Sequence, residues 1–80
     1  MDEEQIHDRI EKLVAEEQEL YARGVGGGLS ESEDDRFESI RVSLDQAWDL
    51  LRQRRALREA GQDPDAAQVR DREVVEGYEQ

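Results

Sequence analysis

The chain has no cysteine, one proline, one histidine and one tryptophan, and only 5% of its 80 residues are aromatic. Without cysteine there is neither a disulfide framework nor a thiolate zinc site to staple the fold, and the redox compartment is left open. No apolar run follows the acidic start Met1-Asp2-Glu3-Glu4. Neither a signal peptide nor a membrane span is therefore expected, and the cytoplasm is the default location. Basic residues are scarce as well: 11 stand against 22 acidic ones, for a net charge of −11. That balance opposes binding to nucleic acid or to an anionic membrane, both of which require a cationic face, and leaves room for a protein partner. The means for catalysis are also thin. The cluster Gly24-Val25-Gly26-Gly27-Gly28 lacks the Gly-x-Gly-x-x-Gly or Lys-Ser/Thr context of a phosphate loop. Acidic pairs such as Asp34-Asp35 fall at an exposed helix start, where nothing perturbs them. No enzyme activity and no cofactor are expected.

What is present is spacing. Hydrophobic residues make up 35% and charged residues 41%, a composition between globular and disordered, and the regular placement of the apolar residues tips it toward folded. Ile6, Ile10, Leu13, Val14, Leu20 and Tyr21 form one stripe of a helical repeat over about 2–23, broken only by Glu17. Clustered glycines cost a helix about 1 kcal/mol each relative to alanine, so a loop is predicted over 24–29. Ser30 with Glu33 is a capping box that opens a second helix over about 31–60. In that helix Phe37, Leu44 and Leu51 recur at heptad spacing, Ile40 and Ala47 lie between them, and Trp48 widens the stripe. Gly61 and then Pro64 end the second helix. The expected fold is all-α: an antiparallel two-helix hairpin over 1–61, followed by an acidic tail over 62–80 that is extended or partly disordered. Packed as a hairpin, the second helix overhangs the first by around two turns. Val74, Val75 and Tyr78 give the tail enough apolar surface to lie along that overhang or to touch a partner.

Two helices share one seam, and a chain this short with no staple commonly completes its core by oligomerising. The seam is expected to comprise Ile6, Ile10, Leu13, Leu20, Phe37, Ile40, Leu44, Trp48 and Leu51, with two hairpins joining as a homodimeric four-helix bundle. Antiparallel folding sets Asp2, Glu3, Glu4 and Asp8 beside Arg52, Arg54, Arg55 and Arg58. These arginines read as partners of the acidic first helix or as contacts to a partner protein. Trp48 reads as core opposite Ala47, or as an aromatic anchor for a partner. Glu4 and His7 have the Glu-x-x-His spacing of di-iron bundles. A metal- or ligand-binding bundle using His7 and carboxylates such as Glu11, Glu17 or Asp49 is therefore the alternative to a pure interaction protein.

The stretch Leu44-Asp45-Gln46-Ala47-Trp48-Asp49-Leu50-Leu51-Arg52-Gln53-Arg54-Arg55-Ala56, then Gly61 with Asp63-Pro64, then Glu73-Val74-Val75-Glu76-Gly77-Tyr78, resembles a family of small actinobacterial proteins known as domain of unknown function 2630. The resemblance extends into the first helix through Ile6, Ile10, Leu13, Val14 and Ala15. It implies an origin and a size class, and no activity. The ending Gly77-Tyr78-Glu79-Gln80 lacks the paired glycines of the prokaryotic ubiquitin-like modifier, whose size and acidity are comparable. The sequence therefore reads as a non-enzymatic, self-associating helical interaction protein.

Overall fold

A computed structural model describes residues 2–78, with backbone alone for residues 26 and 76–78. Helix α1 spans Glu3–Gly27 and helix α2 spans Glu31–Glu59. A 3-10 turn at Pro64–Ala66 and a short helix α3 at Arg72–Tyr78 follow. No strand occurs among the described residues.

Both long helices begin with reciprocal caps. Asp2 accepts from the Gln5 backbone at 2.8 Å while the Gln5 side chain accepts from the Asp2 backbone at 3.0 Å. Ser30 and Glu33 exchange the equivalent pair of bonds, each 3.2 Å long. Each box satisfies two backbone N–H groups that a helix start leaves without partners. Glu3 and Glu4 in the first turn of α1, and Glu31, Glu33 and Asp34 in that of α2, add favourable charge at the positive ends of the helix dipoles.

The glycine cluster does not form the loop predicted over 24–29. Gly24 to Gly27 continue α1 for another turn, and only residues 28–30 lie outside both helices. Glycine weakens a helix without forbidding it, and stopping one needs a single residue in a conformation closed to other side chains. Gly28 supplies it, with φ 75° and ψ 161°, while its N–H closes on the Gly24 carbonyl at 3.0 Å. Leu29 then folds back over Gly24, where a Cβ would meet Leu29 Cγ at 3.4 Å. The extra turn brings α1 to 25 residues against 29 for α2, so the expected two-turn overhang shrinks to about one.

Ile6, Ile10, Leu13 and Leu20 of α1 interlock with Ile40, Leu44, Ala47 and Leu50 of α2 to form the core. Phe37, Leu51 and Val14 pack against it half-buried. Leu50 joins the core although the seam expected from heptad spacing passes it by. Trp48, expected within that seam, is 46% exposed, because its position on α2 lies at the edge of the face that α1 covers.

α2 ends in a Schellman motif: Gln62 N–H reaches the Leu57 carbonyl at 2.8 Å and Gly61 N–H the Arg58 carbonyl at 3.1 Å, with Gly61 at φ 73°. The tail then turns back instead of running on extended. Asp63 caps the 3-10 turn by accepting from the Asp65 backbone at 2.9 Å. Residues 67–71 carry no regular structure, and α3 buries Val75 completely. Val74 and Val69 stay 48% and 64% exposed. The 3-10 turn and α3 both pack on α2, and α1 runs alongside neither.

Adjacent glycines should respond oppositely to alanine. Gly27 is helical with open space around its Cα, so Gly27→Ala should raise stability by about 0.4–1 kcal/mol. Gly28→Ala should lower it by about 1–3 kcal/mol, because only glycine is comfortable in that backbone region. Thermal melts followed by circular dichroism would separate the two, and equal shifts of one sign would contradict the capping role of Gly28.

Candidate functional site

On α2, Gln46, Asp49 and Gln53 follow one another at i, i+3 and i+7, a stripe on one side of the helix. This stripe faces the tail, and each of its members grips the tail's irregular backbone or a side chain leaving it. Gln46 Nε2 donates to the Arg70 carbonyl at 3.1 Å. Gln53 Nε2 donates to the Gln68 carbonyl at 2.7 Å, and Gln53 Oε1 accepts from the Gln68 N–H at 3.4 Å. A side-chain amide thus pairs with a backbone amide in both directions, as a neighbouring strand would, and satisfies groups that a segment without regular structure leaves open.

Asp49 is the centre of this stripe and has no exposed surface. Arg70 clasps its carboxylate through two nitrogens: Nε donates to Oδ2 at 2.9 Å and a terminal nitrogen donates to Oδ1. Gln53 Nε2 adds a third bond to Oδ2 at 2.9 Å, and Arg52 stands 3.9 Å away. A buried carboxylate is costly unless its lone pairs are filled and its charge is matched, and here both conditions are met. The Arg70 hydrogen bonds hold the Asp49 carboxyl below the usual aspartate range against the opposing effect of burial, and Gln53 helps.

Arg54, one turn further on and 7% exposed, is a second clasp. Its guanidinium donates to Asp65 Oδ1 at 2.9 Å and to the Pro64 carbonyl at 3.3 Å, and its Nε stands 4.0 Å from Glu3 at the start of α1. Arg58 also meets Glu3. Arg54 therefore ties together the start of α1, the end of α2 and the 3-10 turn.

The other predicted contacts disperse. Arg54 points inward, Arg52 lies beside Asp49, and Arg55 pairs on the surface with Glu59 at 3.6 Å. Val75 is buried, Val74 is half-exposed, and the side chain of Tyr78 lies outside the described residues. His7 is exposed, its ring set edge-on to Trp48 with centroids 6.4 Å apart. Asp49, considered above as a metal-ligand candidate, is engaged by Arg70 and Gln53. Among the described residues, no three His, Asp or Glu side chains converge in a way that could hold a metal ion.

Elsewhere the resolved carboxylate shifts have similar causes. Arg36 holds Glu16 low through side-chain hydrogen bonds, and the Ser30 backbone together with Arg23 does so for Glu33. In all three cases the charged form of the carboxylate is favoured. That arrangement suits structural pairing, whereas a general acid needs its value raised toward neutrality.

The family described as "Protein of unknown function (DUF2630)" matches residues 2–80. Uncharacterised proteins of Mycobacterium bovis and of two strains of Mycobacterium tuberculosis are 56% identical to the chain over 70 residues, 86% of this chain and 80% of each relative. No solved structure matches.

Two outcomes follow from the clasp. Arg70→Leu leaves the Asp49 carboxylate buried without its cation and should weaken tail docking by about 3–5 kcal/mol, the cost of breaking a buried pair from one side. Asp49→Asn should cost less, because Arg70 is 34% exposed and can return to water. Amide exchange at Gln68 reads both, and full protection retained in Arg70→Leu would refute the clasp. The second outcome concerns pH. The lowered Asp49 value means that its contribution is fully present above the unfolded aspartate value, about 3.9, and is lost as pH falls through the folded one. Protection at Gln68 should persist through the neutral range and fall away only below about pH 4. Loss near pH 6, where a histidine titrates, would point to a different group.

Proposed function

The chain belongs to the family described as "Protein of unknown function (DUF2630)", and on that footing we propose that it is a non-enzymatic helical interaction protein that works as a homodimer. One observation carries the reading: the protomer is too elongated to be a finished globule. It measures 50 × 26 × 17 Å, with a radius of gyration of 14.9 Å, against about 12 Å for a compact domain of this length. It exposes 5826 Å², where a compact monomer of 9.3 kDa exposes about 5000 Å². Long helices joined along one seam leave flanks that a second layer is suited to cover.

The ionisable groups agree with this reading. The shifts they show come from pairing within the chain, and the tail's polar contacts serve to dock it on α2. No helix among the described residues is long and apolar enough to cross a membrane. We place the protein in the cytoplasm, acting through the surfaces of its helices on another protein or on its own copies, with no nucleic acid and no cofactor involved.

Sedimentation equilibrium with and without chelator tests the proposal. The expected result is a dimer mass at micromolar concentration, unchanged by chelator. A monomer across the accessible concentration range would overturn it, and assembly that chelator abolishes would favour the metal-binding alternative centred on His7.

A further inference from the structure

Along α2, Glu38, Gln46, Asp49 and Gln53 fall at i, i+8, i+11 and i+15, a stripe on the side of the helix away from the core residues Ile40, Leu44 and Ala47. The tail lies on this stripe as a separate peptide would. Gln53 pairs in both directions with the backbone of Gln68, and Gln46 donates to the carbonyl of Arg70. These bonds go to main chain, so they hold an extended backbone without choosing its sequence. Charge does the choosing. Asp49, with no exposed surface, accepts from the Arg70 guanidinium, and Glu38 accepts from that of Arg72 at 3.2 Å. The face therefore reads a backbone that carries arginine at two positions separated by one residue. The Asp49 contact dominates, because the Arg72 pair is exposed and contributes little.

We propose that this stripe is a peptide-binding face for a basic Arg-x-Arg segment of a partner protein, and that the chain's own tail occupies it in cis as an autoinhibitory segment. The inference goes beyond the homodimer reading and does not depend on it, since the face lies opposite the hairpin seam and asks for no second copy. Two observations support it. First, the tail is separable. The 3-10 turn and α3 pack on α2 alone, so lifting them away leaves the core between α1 and α2 closed, as a locally opening unit requires. Second, the tail is a poor electrostatic match for the chain that holds it. From Gln62 onward it carries six acidic residues against two arginines, on a chain whose net charge is −11. A segment with the same two arginines and fewer carboxylates is attracted where the tail is repelled. The tether explains why so imperfect an occupant stays in place. A connection of a few residues after α2 gives the tail an effective concentration of about millimolar, which a free partner must exceed through its charge.

Fluorescence anisotropy with a labelled peptide of residues Ala66 to Val75 tests this on the full-length chain. An Arg70→Leu chain, whose own tail has lost its main hold, should bind the peptide at least tenfold more tightly than the unsubstituted chain does. Against that Arg70→Leu chain, a peptide itself carrying Arg70→Leu should bind at least tenfold more weakly. The same loss is expected for the original peptide when Asp49→Asn is added to the chain. A peptide with Val69→Lys, at a position 64% exposed, should bind about threefold more tightly at low salt and lose that gain at high salt. Equal binding to both chains, indifference to the loss of Arg70 or Asp49, or no binding at millimolar peptide would overturn the proposal. No gain from Val69→Lys would overturn the preference for a basic partner. Should Arg70→Leu fail to fold by circular dichroism, the unsubstituted chain decides: millimolar peptide should speed amide exchange at Gln68 at least twofold, and unchanged exchange would overturn the proposal. None of these readouts turns on whether sedimentation finds a dimer.

Discussion

An aspartate with no exposed surface must either lose its charge or be paired, and Asp49 is paired by a residue 21 positions further along the chain. Much of the tail's path follows from that requirement. To reach Asp49, Arg70 must lie against α2, so the chain has to reverse after Gly61 and run back along the helix it has just left. Gln53 and Gln46 occupy the same stripe and hold the backbone on either side of Arg70, at Gln68 and at the Arg70 carbonyl itself. The docked segment needs almost no apolar surface of its own, since its polar groups are satisfied by side chains of α2. Val75 then supplies a fully buried apolar anchor in α3.

A chain with so few hydrophobic residues can fold in this way because α2 is used on two opposite sides. Its apolar stripe receives α1, and its polar stripe receives the tail. A buried salt bridge is a poor source of net stability, since desolvation offsets most of the attraction. Its value lies in choosing one docking register from many, because displacing Arg70 leaves a charge stranded. Arg54 extends the same logic to the open end of the hairpin, where Glu3, Asp65 and the Pro64 carbonyl gather around one buried guanidinium. The exposed pairs, such as Arg55 with Glu59, contribute little by comparison.

This division of α2 sets what the molecule shows to solvent. The tail covers one side, the Glu16–Arg36 pair closes one flank, and Tyr21 and Trp48 stay exposed on the other.

The helices were legible in the sequence because their signals are local. A capping box needs four consecutive residues, a Schellman stop needs Gly61 in place, and the seam repeats every three or four positions, so Ser30, Gly61 and the stripe from Ile6 to Leu51 could be read directly. The extra turn through Gly24–Gly27 was not legible, because helix propensity treats glycines alike and only the fold-back of Leu29 singles out Gly28 as the stop. Asp49, Gln53 and Arg70 escaped for a different reason. Spacing could place Gln46, Asp49 and Gln53 on one side of α2, and amides in a helix rich in charge hint at a backbone to be held. Nothing in spacing names Arg70 as the partner, and Arg54 reads as one arginine among four neighbours. The sequence by itself determined where both helices start, where α2 stops and most of the apolar seam between them, since those depend on residues a few positions apart. Only the tertiary structure decided that the tail folds back and which charges are buried, because a carboxylate's desolvation and its pairing with a distant guanidinium exist only once the chain has brought them together.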